Sequence, residues 1–130
     1  MSPINDCIVN KNTKRKPIWL MRQAGRYLPE FREIRKNNQN FIKLCLNTKL
    51  VTEITLQPVN RFNLDAAIIF SDILMIPYGL NQQVEFKKGH GPILDKPDLD
   101  KIINTNSIEF TKKMYPVYEA ISDVKKKTKD

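Results

Sequence analysis

The stretch that most constrains this chain is Ala66-Ala67-Ile68-Ile69-Phe70, apolar at five consecutive positions. A strand with one wet face alternates apolar and polar residues. A strand that is apolar throughout needs cover on both faces, as in the parallel sheets of α/β folds. The run ends abruptly in Ser71-Asp72, and helical patterns flank it on both sides. A parallel sheet needs several such strands, yet the 130 residues hold only one strong candidate. The chain therefore reads as α/β and as the beginning of a larger fold, one domain at most at roughly 100–200 residues per domain.

The surrounding pattern fills in the remaining elements. Residues 1–16 are polar and predict a flexible, irregular arm, with 17–130 forming part of a single domain. Pro17 opens Ile18-Trp19-Leu20-Met21, a short apolar run suited to a buried strand or a docked segment. Gly25 marks a bend or a close approach to the main chain. Leu28-Pro29-Glu30 has the proline and acid of a helix start. Phe31, Ile34, Phe41, Ile42 and Cys45 recur at helical spacing, interrupted at Asn37-Asn38-Gln39-Asn40, which predicts two helices or a broken one. Asn47 or Thr48 caps the next helix, in which Leu50, Val51, Ile54, Thr55, Pro58, Val59 and Phe62 share a face and Pro58 introduces a kink. Ile73–Leu80 predicts a loop with a short helical turn. Val84 and Phe86 predict a short strand, and Lys88-Gly89-His90-Gly91-Pro92 a turn. Asp95-Lys96-Pro97-Asp98 is a connector. Ser107 caps a last helix that carries Phe110, Met114, Val117, Tyr118, Ile121 and Val124, is interrupted at Pro116, and ends in lysines that suit its dipole.

Composition excludes several classes. Hydrophobic residues make up 41% and charged residues 28%, so the chain is not disordered throughout. No apolar run approaches the ~18 residues of a membrane helix, and the opening residues lack the apolar block of a secretory signal. Two cysteines far apart, Cys7 and Cys45, and a single histidine, His90, offer no metal spacing; both thiols read as fillers in a cytoplasmic protein. The net charge of +8 is the skewed quantity. It suits a solvated basic surface, or a nucleic acid, an anionic membrane or a multiply charged anionic substrate. Lys11, Lys14, Arg15 and Lys16 cluster near one end, and Lys125, Lys126, Lys127 and Lys129 near the other. Arg22, Arg26, Arg32, Arg35 and Arg61 lie instead among apolar and aromatic residues.

Two features carry chemistry. Arg22 and Arg26 flank Gln23-Ala24-Gly25, where small residues let a ligand approach the backbone. Planar guanidinium forks beside exposed N–H groups suit a polycarboxylate. The same arginines would equally pair with Glu30 or Glu33 and hold the segment down. Asp72 ends the apolar strand, at the sheet edge where α/β folds bind ligands. It is placed either to accept substrate N–H groups and stabilise a developing positive charge or to cap the following turn. Asp65, at the other edge, reads as structural, and Trp19, Tyr27, Phe31, Phe70 and Tyr78 read as packing residues. Thr55-Leu56-Gln57-Pro58 has no derivable chemistry. No phosphate loop, dinucleotide fingerprint or nucleophile elbow is present.

The block from Pro17 to Glu30, PIWLMRQAGRYLPE, closely resembles the N-terminal signature of the uroporphyrinogen decarboxylase family. Thr55-Leu56-Gln57-Pro58, the block from Leu64 to Leu74 and Gly89-His90-Gly91-Pro92 resemble its following blocks, in order. The resemblance covers residues 17–125 and implies the N-terminal part of a (β/α)₈ TIM barrel. It implies a cytoplasmic, homodimeric lyase of haem and porphyrin biosynthesis. That enzyme removes the four acetate carboxyls of uroporphyrinogen III without a cofactor, giving coproporphyrinogen III and CO₂. It implies substrate-carboxylate binding by Arg22 and Arg26, with Arg35 and the main chain near Gln23, Ala24 and Gly25 in the pocket. Asp72 then is the catalytic residue, binding the pyrrole N–H groups and stabilising the cationic intermediate. Pro77-Tyr78-Gly79 departs from the family pattern, and the family's later pocket tyrosine, hydroxyl residue and histidine have no counterpart. A barrel needs about 250 residues, so the chain reads as an incomplete barrel, inactive alone. Two alternatives stand beside this reading. A corrinoid-linked methyltransferase of the same superfamily is one, and a small basic nucleic-acid-binding protein is the other.

Overall fold

The computed structural model describes residues 2–11, 15–87 and 90–128. Lys14, Lys88, Gly89 and Lys129, named above in basic clusters and a turn, lie outside the described residues. The first helix, α1 (Pro3–Asn10), replaces the irregular arm expected there. Its start is locally encoded: Ser2 caps the Asn5 N–H, Pro3 occupies the first turn and Asp6 faces the positive end of the dipole. Helix α2 (Pro29–Asn37) starts on the predicted proline and glutamate and ends with Arg35 and Lys36 in its last turn. The asparagine-rich break is real. The Asn38 side chain donates to the Ile34 carbonyl at 2.9 Å, and Asn40 accepts the Lys43 N–H at 2.9 Å to cap α3 (Phe41–Cys45). Asn47, one of the two expected caps, accepts the Leu50 N–H and opens α4 (Thr48–Phe62), which runs through Pro58. Asn63 closes it in the left-handed region, φ 50°.

Residues 64–74 depart from the sequence reading. Ala66–Phe70 forms no strand: its main-chain groups bond to the side chains of Gln23 and Thr55 rather than to a backbone ladder. Ile18–Met21 is likewise neither strand nor buried; Met21 is 78% exposed and Trp19 52%. The two segments are linked through Ile18 and Asp65. At one end the Asp65 N–H donates to the Ile18 carbonyl and the Ile18 N–H to the Asp65 carboxylate, both at 2.8 Å. The Asp65 carboxylate also pairs bidentately with Arg15, so one residue of the basic N-terminal cluster is structural. The Ile18 N–H and then Arg15 hold the Asp65 carboxyl below its ordinary pKa.

Beyond Asp72 lies α5 (Met75–Gly79), the short turn expected. An antiparallel hairpin follows, β1 (Val84–Lys87) against β2 (Gly91–Leu94), in register Val84 with Leu94 and Phe86 with Pro92. Gly91 and Pro92 thus belong to a strand rather than to the turn. A helix not anticipated, α6 (Leu99–Asn104), is capped by Asp98. In α7 (Ser107–Lys127) the cap is Asn106, accepting the Glu109 N–H at 2.9 Å, so Ser107 is the first helical residue. Its buried line runs through Met114, Ala120 and Val124; Tyr118 and Ile121 lie at the margin, exposed.

Helix α4 is the centre of the packing, against α7, α3 and α2, while α5 lies on α7. Two apolar clusters form the core. One gathers Leu28, Phe31, Leu44 and Ile54, the other Cys45, Met75 and Met114. Phe41 and Phe70 pack against both. Phe70 meets Phe31 and Phe41 edge-on, at centroid distances of 5.5 and 5.9 Å, and Phe41 meets Phe86 of the hairpin at 4.8 Å. The end of the extended segment is therefore fixed by an aromatic hub immediately before Ser71-Asp72.

Candidate functional site

The loop from Arg22 to Leu28 is built by its own side chains. Gln23 is 2% exposed and turns inward. Its amide nitrogen donates to the Ala66 carbonyl at 2.8 Å and its amide oxygen accepts the Ile68 N–H at 2.9 Å. The Tyr27 hydroxyl donates back to the Gln23 carbonyl, and the Leu28 N–H donates to the Gly25 carbonyl at 3.0 Å. Arg32 reaches from α2 to the carbonyls of Arg26, at 2.8 Å, and Tyr27, at 3.3 Å. Tyr27 is half-exposed and its ring stacks on Phe62, 6.4 Å between centroids.

These bonds leave an asymmetric loop. The carbonyls of Gln23, Gly25, Arg26 and Tyr27 are all engaged by protein donors. Among the described residues, the N–H groups of Arg22, Gln23, Ala24, Gly25 and Arg26 have no acceptor. Arg22 and Arg26 are exposed, and within the same residues neither guanidinium has a hydrogen-bond or ion-pair partner. The pairing of these arginines with Glu30 is corrected: Glu30 is held by Arg61, with bonds of 3.0 and 2.8 Å. A hydrogen bond from its own N–H at the start of α2, and then Arg61, lowers the Glu30 pKa. Gly25 is not required by the fold, because an added Cβ would make only ordinary contact, 3.4 Å, with the Tyr27 ring. Five free donors and two cations on a pinned loop make an anion-receptive surface.

Asp72 sits two residues beyond the aromatic hub, half-buried. One carboxylate oxygen accepts the Leu74 N–H at 2.9 Å and its carbonyl accepts the Met75 N–H at 3.0 Å, so it does cap the following turn. The second carboxylate oxygen has no partner among the described residues. Arg35 lies over the Phe41 ring, 5.3 Å from its centroid, and donates to the carbonyls of Asn38 and Gln39. The structure relates Arg35 and Asp72 through Cys45. Burial, and then the Asp72 carboxylate, push that thiol up to about 12, while Arg35 opposes them. No hydrogen bond or ion pair joins Asp72 to Arg22, Arg26 or Arg35 among the described residues. Gln23, Ala24 and Gly25 are brought to the extended segment by the Gln23 amide.

The sequence reading gave no role to Arg32, Thr55 and Arg61. Thr55, fully buried, accepts the Phe70 N–H at 2.9 Å and donates to the Val51 carbonyl at 2.7 Å. A hydroxyl on the apolar face of a helix was the available signal. His90 begins beside the hairpin turn, its N–H donating to the Lys87 carbonyl at 3.2 Å. Among the described residues no three His, Cys, Asp or Glu side chains group as a metal site, and no helix is long and apolar enough to cross a membrane.

Helices packed on an extended, loop-terminated apolar segment define an α/β chain with an arginine-flanked, N–H-rich loop. The family model for uroporphyrinogen decarboxylase (URO-D) matches residues 1–130, and the chain belongs to that family. The uroporphyrinogen decarboxylase of Agrobacterium fabrum is 52% identical over 106 residues, covering 82% of this chain and 31% of that protein. That of Brucella ovis is 46% identical over 114 residues, covering 88% of this chain and 33% of its own length. The chain thus spans about a third of the length of these relatives. The nucleic-acid and methyltransferase readings are not favoured by these matches.

Proposed function

We propose that this chain carries the carboxylate-anchoring part of a uroporphyrinogen decarboxylase, within a (β/α)₈ barrel that acts as a cytoplasmic homodimer, without a nucleic-acid or membrane partner. Arg22 and Arg26 bind substrate carboxylates as bidentate forks, and the N–H groups of Gln23, Ala24 and Gly25 donate to the same anions. Arg35 contributes positive charge nearby. Asp72, through its unengaged oxygen, takes the pyrrole N–H groups.

The chemistry follows from the substrate's own ring. Protonation of a pyrrole carbon makes the ring cationic. The bond from the acetate methylene to its carboxylate then breaks, its electron pair moves into the ring and CO₂ leaves; a proton adds to the exocyclic methylene to make the methyl group, and the ring carbon gives up the proton it had gained, which restores the pyrrole. A fixed carboxylate stabilises the cationic ring in the transition state more than the neutral ring before it. The substrate carries eight carboxylates, to which the +8 chain is complementary.

The observation that carries this reading is the loop in which the carbonyls of Gln23, Gly25, Arg26 and Tyr27 are engaged while the N–H groups are free, between two guanidinium groups unpartnered among the described residues. Titration with uroporphyrin, an octacarboxylic porphyrin, tests it. The single tryptophan, Trp19, stands three residues from Arg22 and reports binding by fluorescence. Arg22→Ala and Arg26→Ala should each weaken binding about 10–100-fold, from ~1.5–3 kcal/mol per charge-assisted contact. Wild-type affinity in the double variant, or equal binding of a porphyrin without carboxylates, overturns the assignment.

A further inference from the structure

We infer that the Gln23 side chain is a positioning residue: its amide stands in for a missing strand neighbour and sets the register of the arginine loop against the segment that leads to Asp72. A primary amide carries the same donor and acceptor as a peptide group. In a parallel ladder, one residue donates its N–H to a carbonyl of the neighbouring strand and accepts, through its own C=O, an N–H two residues further on. Gln23 does both, with the Ala66 carbonyl and the Ile68 N–H.

Alternation makes the placement specific. In an extended chain the main-chain groups of residues 66, 68 and 70 share one edge. Gln23 takes the first two and Thr55 the third, so α4 and the loop together grip that edge at three successive places. Asp72 is the next position in the series. On the other side of Gln23, its own carbonyl is fixed by Tyr27, and Arg26 is fixed through its carbonyl by Arg32. A slip of one residue between the two segments would turn the loop over. The amide therefore determines how far the two guanidinium groups stand from Asp72, although its atoms face away from any ligand.

The anion part of this inference rests on the function proposed above. The test combines two readouts on the full chain. In Gln23→Met, which keeps length and shape without the amide, exchange of the Ile68 N–H should rise at least about tenfold and uroporphyrin affinity should fall about tenfold. In that background Arg26→Ala should cost much less affinity than it does in the wild type, because the guanidinium is no longer held in place. Loss of Ile68 protection with unchanged affinity, or additive effects of Gln23→Met and Arg26→Ala, would show a purely structural amide and overturn the inference. Unchanged Ile68 exchange overturns it directly. Failure of the wild type to bind uroporphyrin at all would instead remove the functional reading, and the positioning role with it.

Discussion

Replacing Thr55 by valine isolates one hydrogen bond that connects the central helix to the extended segment. Valine matches threonine in shape, and Thr55 is fully buried, so packing is kept. The Val51 carbonyl loses the hydroxyl but keeps its helical bond from the residue 55 N–H. The Phe70 N–H, which donates to the hydroxyl at 2.9 Å, is left without an acceptor. An unsatisfied donor costs ~1–3 kcal/mol, and the added methyl returns up to ~0.8 kcal/mol. The net destabilisation is about 1–2 kcal/mol, a fall in Tm of about 2–8 °C for a chain of this size. Thermal unfolding followed by circular dichroism reads the total, and amide exchange reads the location. Exchange at Phe70 should accelerate about fivefold or more, whereas Ile68, held by Gln23, should be unchanged. A Thr55→Val variant as stable as the wild type, with Phe70 still protected, would refute the role assigned to this hydroxyl.

Four further outcomes follow from the packing and the charges. Gly79→Ala should lower stability by ~1–3 kcal/mol, because its Cβ would fall 2.5 Å from the Phe110 ring; combining it with Phe110→Leu should recover part of the loss in urea unfolding. Cys45 should resist iodoacetamide at pH 8 until the chain is unfolded, while half-buried Cys7 reacts, as read by mass spectrometry. Because its folded pKa is raised from 9.0 to about 12, the contribution of Cys45 to stability should be constant below pH 9 and fall as pH rises through that interval, a fall that Cys45→Ala removes. Asp65→Asn should be less stable than wild type at pH 7. Since the Asp65 pKa is lowered, the difference should persist above 3.8 and shrink as pH falls below it, which acid titration of the two proteins checks.

What was legible in the sequence was what single residues decide locally. Asn40 and Asn47 cap helices by bonding to backbone three residues on, and Pro29 starts α2 through its own ring, so those boundaries could be read directly. The α1 cap at Ser2 was equally local and was overlooked because polar composition masked it. A strand is different, since extended shape belongs to the segment but the ladder belongs to a pair. Ala66–Phe70 has the composition of a doubly covered strand, yet its main-chain partners are the side chains of Gln23 and Thr55, forty-odd residues before it and fifteen before it. Nothing in Gln23 itself announces an inward-facing amide between two exposed arginines. The same distance hides the division of labour among the arginines. Arg15, Arg32 and Arg61 are engaged by Asp65, by two loop carbonyls and by Glu30, and those are the contacts that leave Arg22 and Arg26 unpartnered. The candidate site is therefore defined by subtraction. Composition supplies an excess of guanidinium groups, tertiary pairing removes most of them, and among the described residues the two that remain flank a loop whose N–H groups are also free.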